Sequence, residues 1–402
     1  MNDFINKTRS YLGLKRNVVL ILILTIIMIM GERLWERFLP VYLESVGASY
    51  LVLGGLGFLT NFIGAFWALN GGYVFDKYGA KKSFIIFNLL AICGYIIAIL
   101  FKSWYAVFAG FLFFSAWNNL ALPASMSVIT GELGKTKSVM GISMHSIIRR
   151  IPMIIGPLIG GILIDSYGIN NGMTYIFIAA AAICVIGILM VKSFTVKHEE
   201  TSTKYSILRL WKNSGKQFKN LLVSDILVRF CEQIPYVFVV LWCMNIVKVS
   251  AGEFGLLTAI EMITAAVCYI PVAHFSDHME KKPFVLITFG FFTIFPLILY
   301  FSNGFVMLVV AFIIRGLKEF GEPTRKAMIL ELAISDAKAR SFGFYYFLRD
   351  GIVAFAGFAG GLLWGIHPSV NLFAAFGFGV MGTIYFWVFG KGIPAAGRNS
   401  FN

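Results

Sequence analysis

The chain has 402 residues, of which 58% are hydrophobic and only 13% are charged. A soluble globular domain usually has about 25% charged residues, so this composition excludes an ordinary soluble globule. It favours an all-α integral membrane protein, because helices satisfy all their backbone hydrogen bonds within lipid. The formal net charge is +14, but the basic residues are spread over many short polar segments, which argues against nucleic acid as a partner.

Twelve segments meet the requirement of about 20 mainly apolar residues for a membrane-crossing helix. In chain order, predicted helices 1 to 12 span 18–45, 51–75, 83–101, 104–130, 138–164, 172–191, 221–247, 252–276, 283–302, 304–330, 341–365 and 369–390. The long polar segment 192–220 divides them into two halves. We therefore predict a six-helix bundle over 1–191, a cytoplasmic central loop over 192–220, a second bundle over 221–390, and a cytoplasmic tail over 391–402.

The Lys and Arg residues indicate the orientation. If both termini are cytoplasmic, the inside segments hold 24 of the 34 Lys and Arg, and the outside loops hold only Lys102 and Lys248. Such an asymmetry follows the positive-inside rule. We therefore expect a multi-pass, monomeric protein of the bacterial inner (cytoplasmic) membrane, with the lipid bilayer and a small molecule as its partners.

The two halves repeat each other at an offset of about 200 residues. Gly54 corresponds to Gly255, Arg149 to Arg349, and the pair Gly160-Gly161 to Gly360-Gly361. Parallel repeats of this kind suit alternating access, in which two similar bundles move about a midplane site.

The segment between predicted helices 2 and 3 carries a motif formed by Gly72, Asp76, Lys77, Gly79, Lys81 and Lys82. It resembles the loop 2–3 signature of the major facilitator superfamily, and a weaker copy includes Asp277. The resemblance implies the superfamily fold, with twelve transmembrane helices in two pseudo-symmetric six-helix bundles. It also implies that these residues form a conformational latch, and that helices 1, 4, 7 and 10 line the cavity with help from 2, 5, 8 and 11.

Predicted helix 5 contains Gly156, Pro157, Gly160 and Gly161. This pattern resembles the end of a motif associated with proton-coupled antiporters of the same superfamily, although the upstream glycines are missing. Small residues also permit close helix packing. Both interpretations, an antiporter marker and a packing seam, stay open at this point.

Sixteen charged residues lie inside the predicted helices away from their outermost turns, where charge is costly and usually marks a water-filled path or a paired partner. Asp225, Arg229 and Glu232 follow an i, i+4, i+7 spacing, and Arg315, Glu319 and Glu322 repeat it. The eight bases and eight acids are Arg33, Arg37, Arg149, Arg150, Arg229, Arg315, Lys318 and Arg349, with Glu32, Glu36, Asp225, Glu232, Glu261, Glu319, Glu322 and Asp350.

These charges are either structural ion pairs or, in part, groups that couple proton flow to transport. Burial disfavours an ionised carboxylate and a nearby arginine favours it, so an exchange of partners can release or take up a proton. The candidates for proton coupling are Glu32, Glu36 and Glu232. Glu322 and Arg325 are expected nearer the inner rim, in a gate. The candidates for substrate binding are Arg33, Trp117, Asn118, Asn119, Arg149, Arg229, Glu261, Arg315, Glu319 and Arg349.

The sequence thus predicts a secondary active transporter for a small organic solute, with a proton gradient as the energy source and no cofactor. A proton-coupled efflux antiporter of an organic anion, siderophore or drug is favoured over an uptake symporter. A third possibility is metal export, because Gly31 to Trp35 resembles a stretch of ferroportin-type exporters. A fourth is a sensor or scaffold that does not transport. No catalytic constellation or metal-ligand set is evident, so we do not expect an enzyme.

Overall fold

The computed structural model describes residues 16–115, 117, 125, 148–192, 214–276, 279–334 and 338–392. Within these ranges the regular structure is helical throughout, without strands. Every predicted helix contains helical residues within the described part of the chain, which confirms the all-α expectation. The bounds, however, differ from the predicted ones at several breaks.

The first half contains five helices among the described residues. They are α1 (Arg16–Trp35), α2 (Leu39–Ser45), α3 (Tyr50–Leu100), α4 (Trp104–Phe114) and α5 (Arg150–Val191). Helix α3 joins predicted helices 2 and 3, and α5 joins predicted helices 5 and 6. Each is interrupted at one glycine with a positive φ, Gly79 at 72° and Gly168 at 75°. A side chain at such an angle is strained, so only glycine makes these breaks easily.

The second half contains eight labelled helices. They are α6 (Lys216–Gln233), α7 (Ala251–Ser276), α8 (Lys281–Phe301), α9 (Phe305–Leu317), α10 (Glu322–Glu331), α11 (Lys338–Val353), α12 (Phe355–Ile366) and α13 (Pro368–Phe389). A short irregular helical stretch from Tyr236 to Ile246 continues α6. Helix α6 begins at Lys216, which is five residues before the predicted start of helix 7 at residue 221.

Eight helical stretches in the described part of the chain are long and apolar enough to cross a membrane. One of them, Arg150–Val191, has 42 residues. At about 1.5 Å per residue it is roughly twice the thickness of a bilayer core of about 30 Å. The break at Gly168 therefore divides it into two lengths that each match one crossing.

The contacts divide the chain into two compact units. Unit 1 comprises Met1–Ala48, Ile63–Ser202 and Ser250–Leu256, and unit 2 comprises Ser49–Phe62, Thr203–Val249 and Leu257–Asn402. Unit 1 therefore contains the first turns of α7, and unit 2 contains the first turns of α3. The predicted domain boundaries at residues 191 and 221 stay a prediction.

Glycine contacts show that the half-repeat is also a repeat of packing. In unit 1 a Cβ on Gly160 would overlap the carbonyl oxygen of Leu34, and in unit 2 a Cβ on Gly360 would overlap that of Ile234. Gly360 follows Gly160 by 200 residues, and Ile234 follows Leu34 by 200 residues, so the same close approach of two helices occurs once in each unit. The glycines of the helix-5 motif are therefore in tight packing positions, which small residues make possible.

Asp165 joins α5 to the first turn of α7 inside unit 1. Its carboxylate accepts hydrogen bonds from the backbone N–H groups of Ala251 at 2.9 Å and Gly252 at 2.8 Å, and from the Ser250 hydroxyl at 2.8 Å. These N–H groups have no partner within their own helix, since the first turn leaves them unbonded. A residue of one helix thus caps the next, and fixes where α7 begins.

The packing repeat predicts the effect of one methyl group. Gly160→Ala and Gly360→Ala should each lower the unfolding temperature in detergent, because the added Cβ displaces backbone and overpacking costs about 1–3 kcal/mol. Gly290→Ala is the matched control, since a Cβ there has open space. The control should be neutral or slightly stabilising, because alanine favours helix over glycine. Equal unfolding temperatures for all three variants would contradict the packing role.

Candidate functional site

The largest set of enclosed charges lies in unit 2. It is carried by α6, α7, α9, α10, α11 and the turn between α9 and α10. Its acids are Asp225, Glu232, Glu261, Glu319 and Glu322, and its bases are Arg229, Arg315, Lys318, Arg325 and Arg349. We call these ten residues the unit 2 charge cluster.

Asp225 of α6 is the acid with the most partners in this cluster. Its side chain is fully buried, and it accepts a hydrogen bond from Arg325 of α10. The Tyr345 hydroxyl donates to it at 3.0 Å, and the Arg349 guanidinium lies 3.4 Å away. Arg229 approaches the same carboxylate at 3.8 Å. One carboxylate therefore holds α6, α10 and α11 together, and a buried carboxylate needs such partners to remain ionised.

Arg229, one turn beyond Asp225, bridges two further acids. Its guanidinium lies 2.5 Å from Glu232 on α6 and 3.4 Å from Glu322 at the start of α10. Glu322 also pairs with Arg325 at 2.5 Å. The guanidinium carbon lies 4.9 Å from the ring centre of Phe292 on α8. Each of these charges is therefore shared, so that no acid depends on one base alone.

Lys318 connects the cluster to α7. Its ammonium lies 2.6 Å from Glu232 and 3.7 Å from Glu261, which is fully buried. Arg315 approaches the same oxygen of Glu261 at 3.3 Å. Arg315 is also surrounded by the rings of Tyr236, Phe295 and Phe312, with its guanidinium carbon 5.1 to 5.8 Å from their centres. Lys318 thus stands between two carboxylates.

The local sequence explains why these charges meet. Helix α9 ends at Leu317, and α10 begins at Glu322 with Pro323 in its first turn, where the missing N–H costs nothing. The turn between them is anchored on α8, because the Gly321 N–H donates to the Thr288 hydroxyl at 2.6 Å. Lys318 and Glu319 therefore lie in a turn between two helices and not in a continuous helix.

Because of this interruption, the predicted i, i+4, i+7 alignment of Arg315, Glu319 and Glu322 on one helix is wrong. The three residues do not lie on one continuous helix, since residues 318–321 form a turn. Arg315 pairs with Glu261, while Glu322 pairs with Arg229 and Arg325. The predicted alignment of Asp225, Arg229 and Glu232 on one helix is confirmed, because α6 is continuous and Arg229 contacts both acids.

Arg325 belongs to the cluster although it is not one of the sixteen charges singled out in the sequence. Its side chain is only 1% exposed and lies between Asp225 and Glu322. Its position three residues after Glu322 is a signal for an ion pair on one helix. The expected gate near the inner rim stays a prediction.

Glu319 differs from the other acids of the cluster. Its side chain is partly buried, in the turn between α9 and α10. Among the described residues it forms no ion pair within 4 Å, whereas the other four acids each have at least two basic neighbours at that distance. The charged groups that act on it most strongly are Glu322, Lys318, Arg229 and Glu232.

Unit 1 holds a smaller group of charges where α1 meets α2. The Arg33 guanidinium donates to the Glu36 carboxylate in the turn that follows α1. Arg149 lies within electrostatic reach of Glu32 and Arg33. The three-residue spacing of Arg33 and Glu36 brings their side chains together. Beside them, the Trp35 indole donates to the Tyr95 hydroxyl at 3.0 Å.

Several other predicted site residues belong to neither of these two charge groups, or lie outside the described part of the chain. Asn118, Asn119 and Asp277 lie outside the described residues, whereas Trp117 is buried in unit 1. Gly72 and Asp76 fall within α3, and Lys77 and Lys82 are exposed. Lys81 donates to the carbonyl oxygen of Lys192 at 2.8 Å, so the motif contacts the end of α5. In the described ranges no group of three His, Cys, Asp or Glu side chains is placed to hold a metal.

The shared partners of Asp225 lead to a prediction about stability. Asp225→Asn should destabilise the protein by about 3–5 kcal/mol, because it leaves buried arginines without their anion. Adding Arg325→Gln should recover part of the loss, which thermal unfolding of the purified protein measures. Adding Lys282→Gln is the control, since Lys282 bonds the Trp387 carbonyl instead and should give an additive effect. An additive result for Arg325 as well would contradict the coupling.

Comparisons with known proteins agree with this architecture. The family profile of the Major Facilitator Superfamily matches residues 21–224 and again residues 221–401. An uncharacterised MFS-type transporter of Methanocaldococcus jannaschii is 22% identical over 372 residues, which is 89% of this chain and 91% of that protein. The solved structure of a point mutant of the nucleoside transporter NupG superposes with a TM-score of 0.82 at 16% identity, covering 94% of this chain and all of that one.

A second solved structure, of a peptide transporter POT in complex with sulfate, has a TM-score of 0.75 at 11% identity and covers 93% of each chain. At these identities the structures show a shared fold rather than a shared substrate. The two profile matches span both halves of the sequence and agree with the repeated glycine contacts. The chain is therefore a transporter of the Major Facilitator Superfamily, an integral multi-pass membrane protein.

Proposed function

We propose that this protein is a proton-coupled secondary active transporter of a small organic solute, and that the unit 2 charge cluster couples proton movement to transport. The observation that carries the proposal is the sharing of enclosed charges between α6, α7, α9, α10 and α11. Charge at membrane depth is costly and is kept where a function needs it. A scaffold has no need of such a cluster.

Lys318 supplies a route for the coupling. It lies between Glu232 and Glu261, at 2.6 and 3.7 Å. A small movement of its ammonium toward Glu261 would leave Glu232 with Arg229 alone. A carboxylate that loses one of two bases binds a proton more readily. We propose that Glu232 changes its protonation in this way, and that Glu32 and Glu36 are the corresponding candidates in unit 1.

The solute is proposed to bind among the same charges. The candidates are Arg229, Glu261, Arg315, Glu319 and Arg349 in unit 2, with Arg33, Trp117 and Arg149 in unit 1. The nucleoside and peptide transporters with similar folds make polar organic solutes a reasonable class. We place both termini on the cytoplasmic side of the cytoplasmic membrane, because the basic residues follow the positive-inside rule.

Symport and antiport differ in whether proton and solute bind together or exclude each other. The glycines of the helix-5 motif, which favour an efflux antiporter by resemblance, make close contacts to α1 and α7 inside unit 1. Packing accounts for these residues without an exchange of protons. The antiporter stays a prediction from the motif, and symport is a second candidate that the charge cluster supports.

Proteoliposomes test the function directly. An imposed pH gradient should drive accumulation of at least one solute from a panel of uridine, dialanine and small carboxylates with their amides, and a protonophore should abolish it. Empty liposomes serve as the control for leakage. Absence of gradient-dependent flux for the entire panel would contradict proton-coupled transport.

Glu232→Gln tests the coupling residue. The variant should still exchange labelled for unlabelled solute, but its uphill transport under a pH gradient should fall to the level of empty liposomes, because glutamine cannot carry the proton. Glu280→Gln, at an exposed carboxyl in front of α8, is the matched control and should keep uphill transport. Unchanged uphill transport in Glu232→Gln would remove this residue from the mechanism.

A further inference from the structure

The number of charges in the unit 2 cluster has a consequence for what the protein carries. Five acids face five bases, so the cluster is neutral when every group is ionised. The exposed margin adds one of each sign, Lys326 and Asp350, and does not change the balance. A net charge enclosed in a low-dielectric layer costs several kcal/mol. Neutrality is therefore the favoured condition of the cluster.

Glu319 is the acid whose protonation breaks the fewest contacts. Asp225, Glu232, Glu261 and Glu322 each lie within 4 Å of at least two bases, and among the described residues Glu319 has no such neighbour. Protonating one of the other acids would leave its bases without an anion. Protonating Glu319 breaks no ion pair among the described residues and also relieves its repulsion with Glu322 and Glu232, two acids within its electrostatic reach.

Among the described residues, the surroundings of Glu319 contain no further charge that would replace this proton. Lys318 precedes it and is held by Glu232, and Arg229 of α6 is held by Glu232 and Glu322. Glu261 of α7 takes up Arg315, and Arg349 of α11 takes up Asp225 and Asp350.

The remaining neighbour, α8, contributes aromatic rings to this turn. Phe284 and Phe291 of α8 pack against Phe320, with ring centres 5.9 and 6.4 Å away. These rings supply no charge, so the bases already committed to other acids are the only cations near Glu319 in the described part of the chain.

We propose that Glu319 holds the coupled proton while the solute is bound, taking it from Glu232, and that the solute is a small organic monoanion, which binds when Glu319 is protonated. This inference rests on the proposed proton-coupled transport and names its solute class. With a proton on Glu319 the cluster has one uncompensated positive charge, and a carboxylate restores neutrality. With Glu319 ionised, an anion would leave one uncompensated negative charge. Proton and anion therefore favour each other's binding, and by linkage the effect is reciprocal.

The turn between α9 and α10 suits this role. Interrupted helices commonly form the solute and ion sites of transporters, because their backbone lines a cavity. Glu319 lies in such an interruption, next to Lys318 and three residues before Glu322. In the cycle that follows, the cluster is neutral both when empty and when loaded with one proton and one anion. The transport is thus an electroneutral symport, and no net charge crosses the membrane.

Matched pairs of acids and amides test the solute class in proteoliposomes. We choose lactate with lactamide, nicotinate with nicotinamide, and N-acetylglycine with its amide, so that shape is kept and charge is removed. A pH gradient, acidic on the side of the solute, should drive uptake of at least one acid at least tenfold faster than its amide. A membrane potential without a pH gradient should not drive the wild-type protein.

Glu319→Gln keeps this position permanently neutral. It should therefore change the driving force of transport from the pH gradient to the membrane potential. The variant should still exchange the anion, but its net transport should ignore the pH gradient and respond to the membrane potential, since the empty cluster is now positive and the loaded cluster neutral. A merely structural role for Glu319 would not move transport from one driving force to the other. Glu280→Gln should behave as the wild type, and Glu319→Asp should restore dependence on the pH gradient.

The outcomes distinguish the inference from the function on which it rests. If no solute of either class responds to a pH gradient, proton-coupled transport itself is overturned. If the gradient drives only amides or other neutral solutes, or if Glu319→Gln keeps its dependence on the gradient, the inference is overturned while the function stands. If Glu319→Gln fails to fold, wild-type protein in detergent decides: nicotinate, lactate or N-acetylglycine must take up about one proton on binding, and binding of all three without proton uptake overturns the proposal.

Discussion

The cost of enclosing charge in a membrane protein is the constraint on which the rest of this structure depends. Asp225 illustrates it, because one buried carboxylate is surrounded by Arg325, Arg349 and the Tyr345 hydroxyl, and these partners come from α10 and α11. Removing Arg325 or Arg349 would leave buried charge with less compensation, which costs more than the pair contributes. The positions of three helices in unit 2 are therefore tied to the charges that the site uses.

The helix breaks follow from the same constraint. A straight helix in place of α9 and α10 would put Arg315 one turn from Glu319, where opposite charges pair with each other. The turn at residues 318–321 instead sends Arg315 toward Glu261 and Glu322 toward Arg229. Gly321 makes the turn possible, since a Cβ would overlap the carbonyl oxygen of Phe284. A local break thus distributes the charges among three helices.

The sequence predicted the parts of the structure that depend on periodic or repeated patterns. Apolar length located the helices, and the offset near 200 residues predicted contacts that occur twice, at Gly160 and at Gly360. The continuous helix α6 also kept the predicted order of Asp225, Arg229 and Glu232. The burial of Arg325 was not predicted, because it depends on Asp225, which is 100 residues away. Sequence spacing reports neighbours on one helix and carries no signal for partners on another.

The charge balance connects the packing to the proposed transport. Four acids of unit 2 are shared among the bases so completely that each protonation there would disturb several contacts, and Glu319 alone stands apart within the described part of the cluster. In the proposed cycle the paired acids hold α6, α7, α10 and α11, Glu232 passes its proton on, and Glu319 keeps the proton while the anion is bound. Because the bases are already neutralised by the paired acids, an arriving anion gains electrostatically only when Glu319 is neutral. Because most charges in the cluster are paired, the protonation of Glu319 alone determines whether the proposed anion binds.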